Sequence, residues 1–339
     1  MTYFQEHDAC IPAQHHPALA LTFASNRDFK LAAVIKDSGL HDADMPHAEH
    51  RLSATQYAQL LSNLANLAAN GVNNDCSFML GQQMLPGHYG AASQALLHAT
   101  SLRHALDIMV RCAHTICPLL SPRWRQEGST IVVYWLDAFG LTRLRGFLVE
   151  MHMAALVSMC RWLSGRRLPW TFCFNRTAPR YSEQHQIHLG SQLRFSCQFD
   201  AMLLDEAYLD LAWPRGNAMA AEIALQQQAQ QAQQAQGILA CLYDFLLTNI
   251  RLAPSLENSA QYFDISPATF KRHLARHGSH YQAELDQVRT HVALHLFHTQ
   301  GLSNEAVADY LGFHDANNFR RSFKRWTGMT PMVLRRALI

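Results

Sequence analysis

Six of the nine residues from Asn317 to Arg325 are amides or cations: Asn317, Asn318, Arg320, Arg321, Lys324 and Arg325. Phe319, Phe323 and Trp326 recur at i, i+4 and i+7, so one helix would carry an aromatic inner stripe and a polar, basic outer face. Asparagine pairs bidentately with adenine and arginine with guanine, while further cations meet phosphates. The chemistry on offer is recognition of double-stranded DNA through its major groove. A basic run alone would more simply be a solvated helix face, so the weight rests on the elements that position it.

Those elements are legible. Ser303 can cap a short helix whose apolar Ala306, Val307, Tyr310 and Leu311 fall on one face. Gly312 suits the left-handed residue that ends many helices, Phe313 turns inward, and Asp315 can cap the Asn/Arg-rich helix. A second such arrangement lies upstream. Pro254-Ser255 opens a scaffold helix over Leu256–Phe263, Asp264-Ile265 forms a turn, and Ser266-Pro267 supplies a cap followed by proline at the first helical position. The helix that follows buries Phe270 and Leu274 and is expected to expose Ala268, Thr269, Lys271, Arg272, His273 and Arg276. Ile238–Ile250 precedes both units. Tyr281–Thr299 connects them, with Leu285, Val288, Val292, Leu296 and Phe297 as its core face. At about 1.5 Å per residue that connector spans roughly 28 Å. Two reading helices on one face of DNA lie about 34 Å apart, so a connector of this length can hold them in successive grooves with some bending of the duplex.

The C-terminal stretch resembles the signature of the AraC/XylS family of transcription regulators. The matching residues are Val307-Ala308, Leu311-Gly312-Phe313, Phe319, Arg321, Phe323-Lys324-Arg325, Gly328 and Pro331. The resemblance implies an all-α DNA-binding domain with two helix-turn-helix units over 238–339. It also implies activation of transcription through contacts with RNA polymerase. Two departures stand in the first unit: Ser259-Ala260 where the family usually has Val-Ala, and Ala268 where a larger residue is common. DNA contacts are therefore expected from Asn317, Asn318, Arg320, Arg321 and Lys324 in the second unit and from Ala268, Thr269, Lys271 and Arg272 in the first. Asp286 and Arg289, which match a family motif, are expected to make structural ion pairs or a backbone contact.

The chain has 339 residues, enough for two domains, with 49% hydrophobic and 16% charged residues, which argues against global disorder. The formal charge is only +2, but from Ala316 to the end there are six basic and no acidic residues. Eight scattered cysteines form no CxxC pair and fit buried free thiols in a reducing cytoplasm. No basic start followed by an apolar core opens the chain, and no run of 18 apolar residues occurs; neither secretion nor a membrane span is expected. Among twenty histidines, His15-His16 and His41, His47 and His50 suggest a metal site, yet neither HExxH nor zinc-finger spacing occurs, so no metal and no cofactor is expected.

The first 215 residues read as α+β. Helical rhythm runs over Pro17–Ile35 and, after a loop holding Pro46, from a capping box at Ser53–Gln56 to Asn70-Gly71. It returns over Cys76–Leu85, over Ala91–Ile116 with a break near Thr100-Ser101, and over Gly146–Ser164. Pro118 and Pro122 are expected to end the Ala91–Ile116 region. Strands are expected at Thr130–Leu136, Trp170–Phe174 and Leu193–Phe199. This half resembles the ligand-binding domain of one branch of the same family, through Leu85–Gly90, Thr100–Leu106, Arg161–Pro169 and Pro179–Tyr181. The resemblance implies a sensor of a small, often apolar, effector. Stripes of Leu, Met and Phe are core positions first, so no ligand contact is singled out. Residues 216–237 are rich in Ala and Gln and read as a helical linker. A homodimer is expected, because two-site operators usually bind dimers.

The reading is thus an α+β sensor domain, a linker and a DNA-binding domain: a cytoplasmic transcription activator responsive to a small molecule. A ligand-independent architectural protein, whose front half only dimerises, is the alternative. An enzyme is not expected: a repair methyltransferase would need a Pro-Cys-His setting, and Cys117-Pro118 runs in reverse order, while P-loop, GxSxG and Rossmann fingerprints are missing.

Overall fold

The computed structural model describes residues 3–40, 50–69, 75–180, 182–231 and 235–333. The expectations resting on His41, Pro46, His47, Asn70-Gly71 and Tyr181 lie outside these. The chain divides into two compact units, 2–237 and 238–339.

In the first unit, strands β1 (Tyr3–Phe4) and β2 (Ile11–Pro12) lead into helices α1 (His16–Ser25) and α2 (Leu31–Val34), then β3 (Arg51–Leu52) and α3 (Ala54–Ala69). The capping box of α3 is formed: the Gln56 amide donates to Ser53 Oγ at 3.2 Å, and the Ser53 amide donates to Gln56 Oε1 at 2.9 Å. There follow α4 (Cys76–Met84), α5 (Ala91–Leu97), α6 (Leu102–Arg111), α7 (Ala113–Ile116), β4 (Leu120–Glu127), β5 (Thr130–Asp137) and α8 (Arg145–Ser164). The unit closes with β6 (Thr171–Cys173), α9 (Glu183–His188), β7 (Leu193–Arg194), β8 (Ala201–Asp205), α10 (Ala218–Gln231) and β9 (Gln236–Gly237).

A five-stranded sheet of order β4-β5-β8-β6-β7 forms one layer; only β6 and β7 are parallel neighbours. Two sequence expectations fail here. Pro122 does not end a region but lies inside β4, at the sheet edge, where a missing N–H costs no ladder bond. The expected strand Leu193–Phe199 stops at Arg194, because Ser196 turns to φ +58°; the chain then re-enters the sheet as β8. Helices α4 and α8 pack so closely that a Cβ on Gly81 would lie 2.1 Å from the Met151 carbonyl oxygen.

The motifs that carried the sensor resemblance serve structure. In the α4–α5 turn the Tyr89 hydroxyl donates to the Met84 carbonyl at 2.7 Å, and the His16 ring stacks on Tyr89 at 4.0 Å. Ser101 caps α6, and Arg103 pairs with Asp210. The Ala/Gln-rich segment is helical, but it is not a free-standing linker. Ala221, Ala224 and Leu225 are buried, and α10 lies along α5. Beyond it β9 pairs in parallel with β1.

The second unit is all-helical: α11 (Ile238–Thr248), α12 (Leu256–Tyr262), α13 (Pro267–Arg276), α14 (Tyr281–Gln300), α15 (Asn304–Tyr310) and α16 (Ala316–Thr327). Its axis is α14, 20 residues and so about 30 Å long. The Tyr243 hydroxyl of α11 meets His291 Nδ1 of α14 at 2.8 Å. Tyr281, at the start of α14, donates to the Pro254 carbonyl at 2.6 Å. Near its other end Phe297 packs on Phe319 and Phe323, with ring centroids 6.0 and 5.7 Å away. The two helix-turn-helix units are thus anchored toward opposite ends of one helix.

Candidate nucleic-acid interface

Both turns are built by the same local rule. After α15, Gly312 takes φ +72°, its amide donates to Asp309 at 3.0 Å, and the Phe313 amide donates to Ala308 at 2.9 Å. After α12, Asp264 takes φ +55°, its amide donates to Gln261 at 3.0 Å, and the Ile265 amide donates to Ala260 at 3.1 Å. Each is a Schellman closure that satisfies carbonyls a helix end leaves open. Side-chain caps then start the outer helices. Ser266 Oγ accepts from the Thr269 amide at 3.2 Å, and Asp315 Oδ1 accepts from the Asn318 amide at 2.7 Å. Those amide bonds, from Asn318 and then Asn317, hold the Asp315 carboxyl below its ordinary range.

Beneath the outer helices lie the expected aromatic and aliphatic anchors. Phe319 and Phe323 are fully buried, as are Phe270 and Leu274. Phe313 is half-buried between Phe319 and Trp326, and the Arg289 guanidinium lies 4.9 Å over its ring. On α15, Val307 and Leu311 are buried together with Ala308, whereas Ala306 is exposed. Ser259, in place of the family's valine, is fully buried, and its hydroxyl donates to the Ser255 carbonyl at 3.0 Å.

The outward faces carry the sequence-derived site residues. On α16, Asn317, Asn318, Arg320, Arg321 and Lys324 are all exposed. Asn318 Nδ2 also donates to Asp315 at 2.8 Å, and Arg320 donates to Asn317 Oδ1. The Lys324 carbonyl accepts from the Gly328 amide at 2.9 Å, while the side chains of Arg321 and Lys324 form no hydrogen bond or ion pair among the described residues. On α13, Ala268, Lys271 and Arg272 are exposed, and Thr269 is half-buried against its cap, with its hydroxyl 2.9 Å from Ser266 Oγ. His273 does not join this face. It is buried, and burial followed by Arg276 and Arg272 lowers its pKa from 6.5. Arg325 reaches back to Asp286 of α14 at 3.3 Å and so braces α16. Arg276, exposed on α13, extends that cationic face; it was visible in the sequence as a helical neighbour of Arg272.

Comparison with known proteins agrees with this geometry. The family model for the arabinose-binding domain of AraC transcription regulators, N-terminal, matches residues 29–212. A helix-turn-helix domain model matches 259–337. The ornithine utilization regulator of Pseudomonas aeruginosa is 26% identical over 298 residues, covering 85% of each chain. An uncharacterized HTH-type transcriptional regulator of Mycobacterium bovis is 24% identical over 348 residues, covering 94% of this chain and 96% of its own. Among solved structures, the transcriptional regulator CdpR of P. aeruginosa aligns at a TM-score of 0.42 with 18% identity, over 95% of this chain and 98% of that one. The fold and its outer helices define a helix-turn-helix transcription regulator with an arabinose-binding-like N-terminal domain. The chain belongs to the AraC family, whose members matched here are regulators rather than enzymes.

Proposed function

We propose that this protein is an effector-responsive activator that binds DNA as a homodimer in the cytoplasm and contacts RNA polymerase there. Its principal reader is α16. The observation that supports this reading is the outer face of that helix: two amides and three cations, all exposed, on a helix fixed by a cap and two buried phenylalanines. Asn317, Asn318 and Arg321 are assigned to bases, Arg320 and Lys324 to phosphates. On α13, Lys271 and Arg272 read or neutralise, while Ala268 and Thr269 let the backbone approach closely. The effector is a small molecule sensed by the first unit. The relative whose name refers to ornithine utilization makes L-ornithine a first probe.

The test is selection of binding sites from random DNA by the full-length protein, then titration on the best site at two salt concentrations, with and without L-ornithine. A motif with two reading positions about one helical turn apart supports the regulator. Salt-dependent binding with no motif would reduce the interaction to phosphate attraction and overturn the base assignments.

A further inference from the structure

We propose that Cys173 and Cys197 form a peroxide-responsive dithiol in the first unit, with Cys197 as the attacking sulfur and Cys173 as the resolving one. Seven of the eight cysteines are buried; Cys197 alone is partly exposed. The fold brings these two together from 24 residues apart. Cys173 ends β6, where it stands opposite Arg194 of β7. The positive φ of Ser196 then folds the chain back, and the Cys197 amide donates to the Phe174 carbonyl at 3.0 Å. The backbone at Cys197 therefore runs beside the end of β6, and its sulfur lies 3.6 Å from the carbonyl of Arg194, the residue paired with Cys173, so the two thiols are neighbours.

The environments of the two sulfurs differ in the way the chemistry requires. The neighbouring Cys173 thiol pulls the Cys197 thiol down to about 7, against its partial burial, with the Phe174 backbone amide and Arg194 assisting. The neighbouring Cys197, with burial, pushes Cys173 up. In its protonated form Cys197 points its S–H at the Arg194 carbonyl, 3.6 Å away. Elsewhere burial pushes Cys10 and Cys76 up to about 12 and Cys112 to about 11, which keeps those sulfurs protonated and inert.

The oxidant is a small hydroperoxide. The Cys197 thiolate attacks one peroxide oxygen, the O–O bond breaks, and hydroxide leaves to take up a proton as water. Cys173 then loses its proton and attacks the sulfenic sulfur; the S–O bond breaks and a second water leaves. Two thiols and one hydrogen peroxide become one disulfide and two waters. The product staples the turn after β7 to β6, at the edge of the sheet.

The test treats the native full-length protein with hydrogen peroxide, alkylates the remaining thiols under denaturing conditions, and maps peptides without reduction. A Cys173–Cys197 linked peptide, formed while the other six cysteines stay alkylatable, is the expected result. Both thiols remaining alkylatable, or Cys197 advancing to sulfinic acid beside a reduced Cys173, would overturn the proposal. In Cys173→Ala, which removes the donor, Cys197 should stop at a dimedone-trappable sulfenic acid, and the pH midpoint of its alkylation should move up from near 7. An unmoved midpoint counts against the pairing. These readouts need no DNA, so they stand apart from the proposed function.

Discussion

The two helix-turn-helix units share a frame and differ in what they show to solvent. Each has a serine-capped scaffold helix, a left-handed residue at the turn, and an outer helix anchored by two large buried side chains. Above the same frame, α13 presents Ala268 and Thr269 where α16 presents Asn317 and Asn318, and Ala275 where α16 presents Lys324. The scaffold helices differ inside as well: Ser259-Ala260 against Val307-Ala308. Folding and reading are separable here. The buried positions specify the same unit twice, and the exposed positions give one copy more of the amides and cations that the proposed base contacts need.

The comparison can be broken most severely from below. Phe323→Ala should cost about 3–5 kcal/mol and Leu274→Ala about 2–5 kcal/mol. If each unit rests on its own anchors, thermal unfolding followed by amide exchange will show loss of protection first around the altered helix. Uniform loss across all six helices would mean that the second unit of the chain folds as one indivisible block.

The outer faces come next. Arg321→Ala should cost about 1–3 kcal/mol of DNA binding and relax preference at one base position, whereas Lys271→Ala should weaken all sequences alike and lower the salt slope by about 1. Titration on matched and mismatched sites separates the two. Equal specificity loss from both would place the two helices on the same footing.

The turns offer a smaller and cleaner contrast. Gly312→Ala forces a β-carbon into a left-handed residue and should cost about 1–2 kcal/mol. Its nearest neighbour, Ala253 Cβ, would sit at an ordinary 3.5 Å, so the cost is conformational and not a clash. Asp264→Gly runs the other way and should gain a few tenths to about 1 kcal/mol. Denaturant midpoints check both signs.

Acid should separate the units most gently. His273 has a folded pKa below its ordinary 6.5, so its contribution is present above that value and is lost as pH falls through and below it. Asp315, also depressed, contributes above its ordinary 3.8 and loses its capping role only as pH falls further. Residue-resolved exchange should therefore show α13 loosening as pH falls below 6.5 and the start of α16 loosening only as pH falls below 3.8. His273→Phe, which fills the site without titrating, should remove the earlier step.

How much of this was legible follows the range of the interactions. The caps at Ser266, Ser303 and Asp315, the glycine turn at Gly312 and the stripe of Phe319 and Phe323 were readable, because a helix end and a helix face are decided within four or five residues. His273 was misplaced by the same reasoning: a helical wheel gives a face, but only packing says where the buried arc stops. In the first unit, β4 was hidden by Pro122 and by Arg123 and Arg125, residues that a strand accepts at a sheet edge and not at its centre. The Ala/Gln segment announced a helix but not its seat on α5, since small side chains fit many surfaces. Nothing in the spacing of Cys173 and Cys197 foretold their meeting. The sequence alone determined the local grammar of the helix-turn-helix units and the chemistry of their outer faces. The tertiary structure alone decided strand order, the docking of α10 and the pairing of distant thiols, because sheet registry and cross-chain packing depend on partners far apart in sequence.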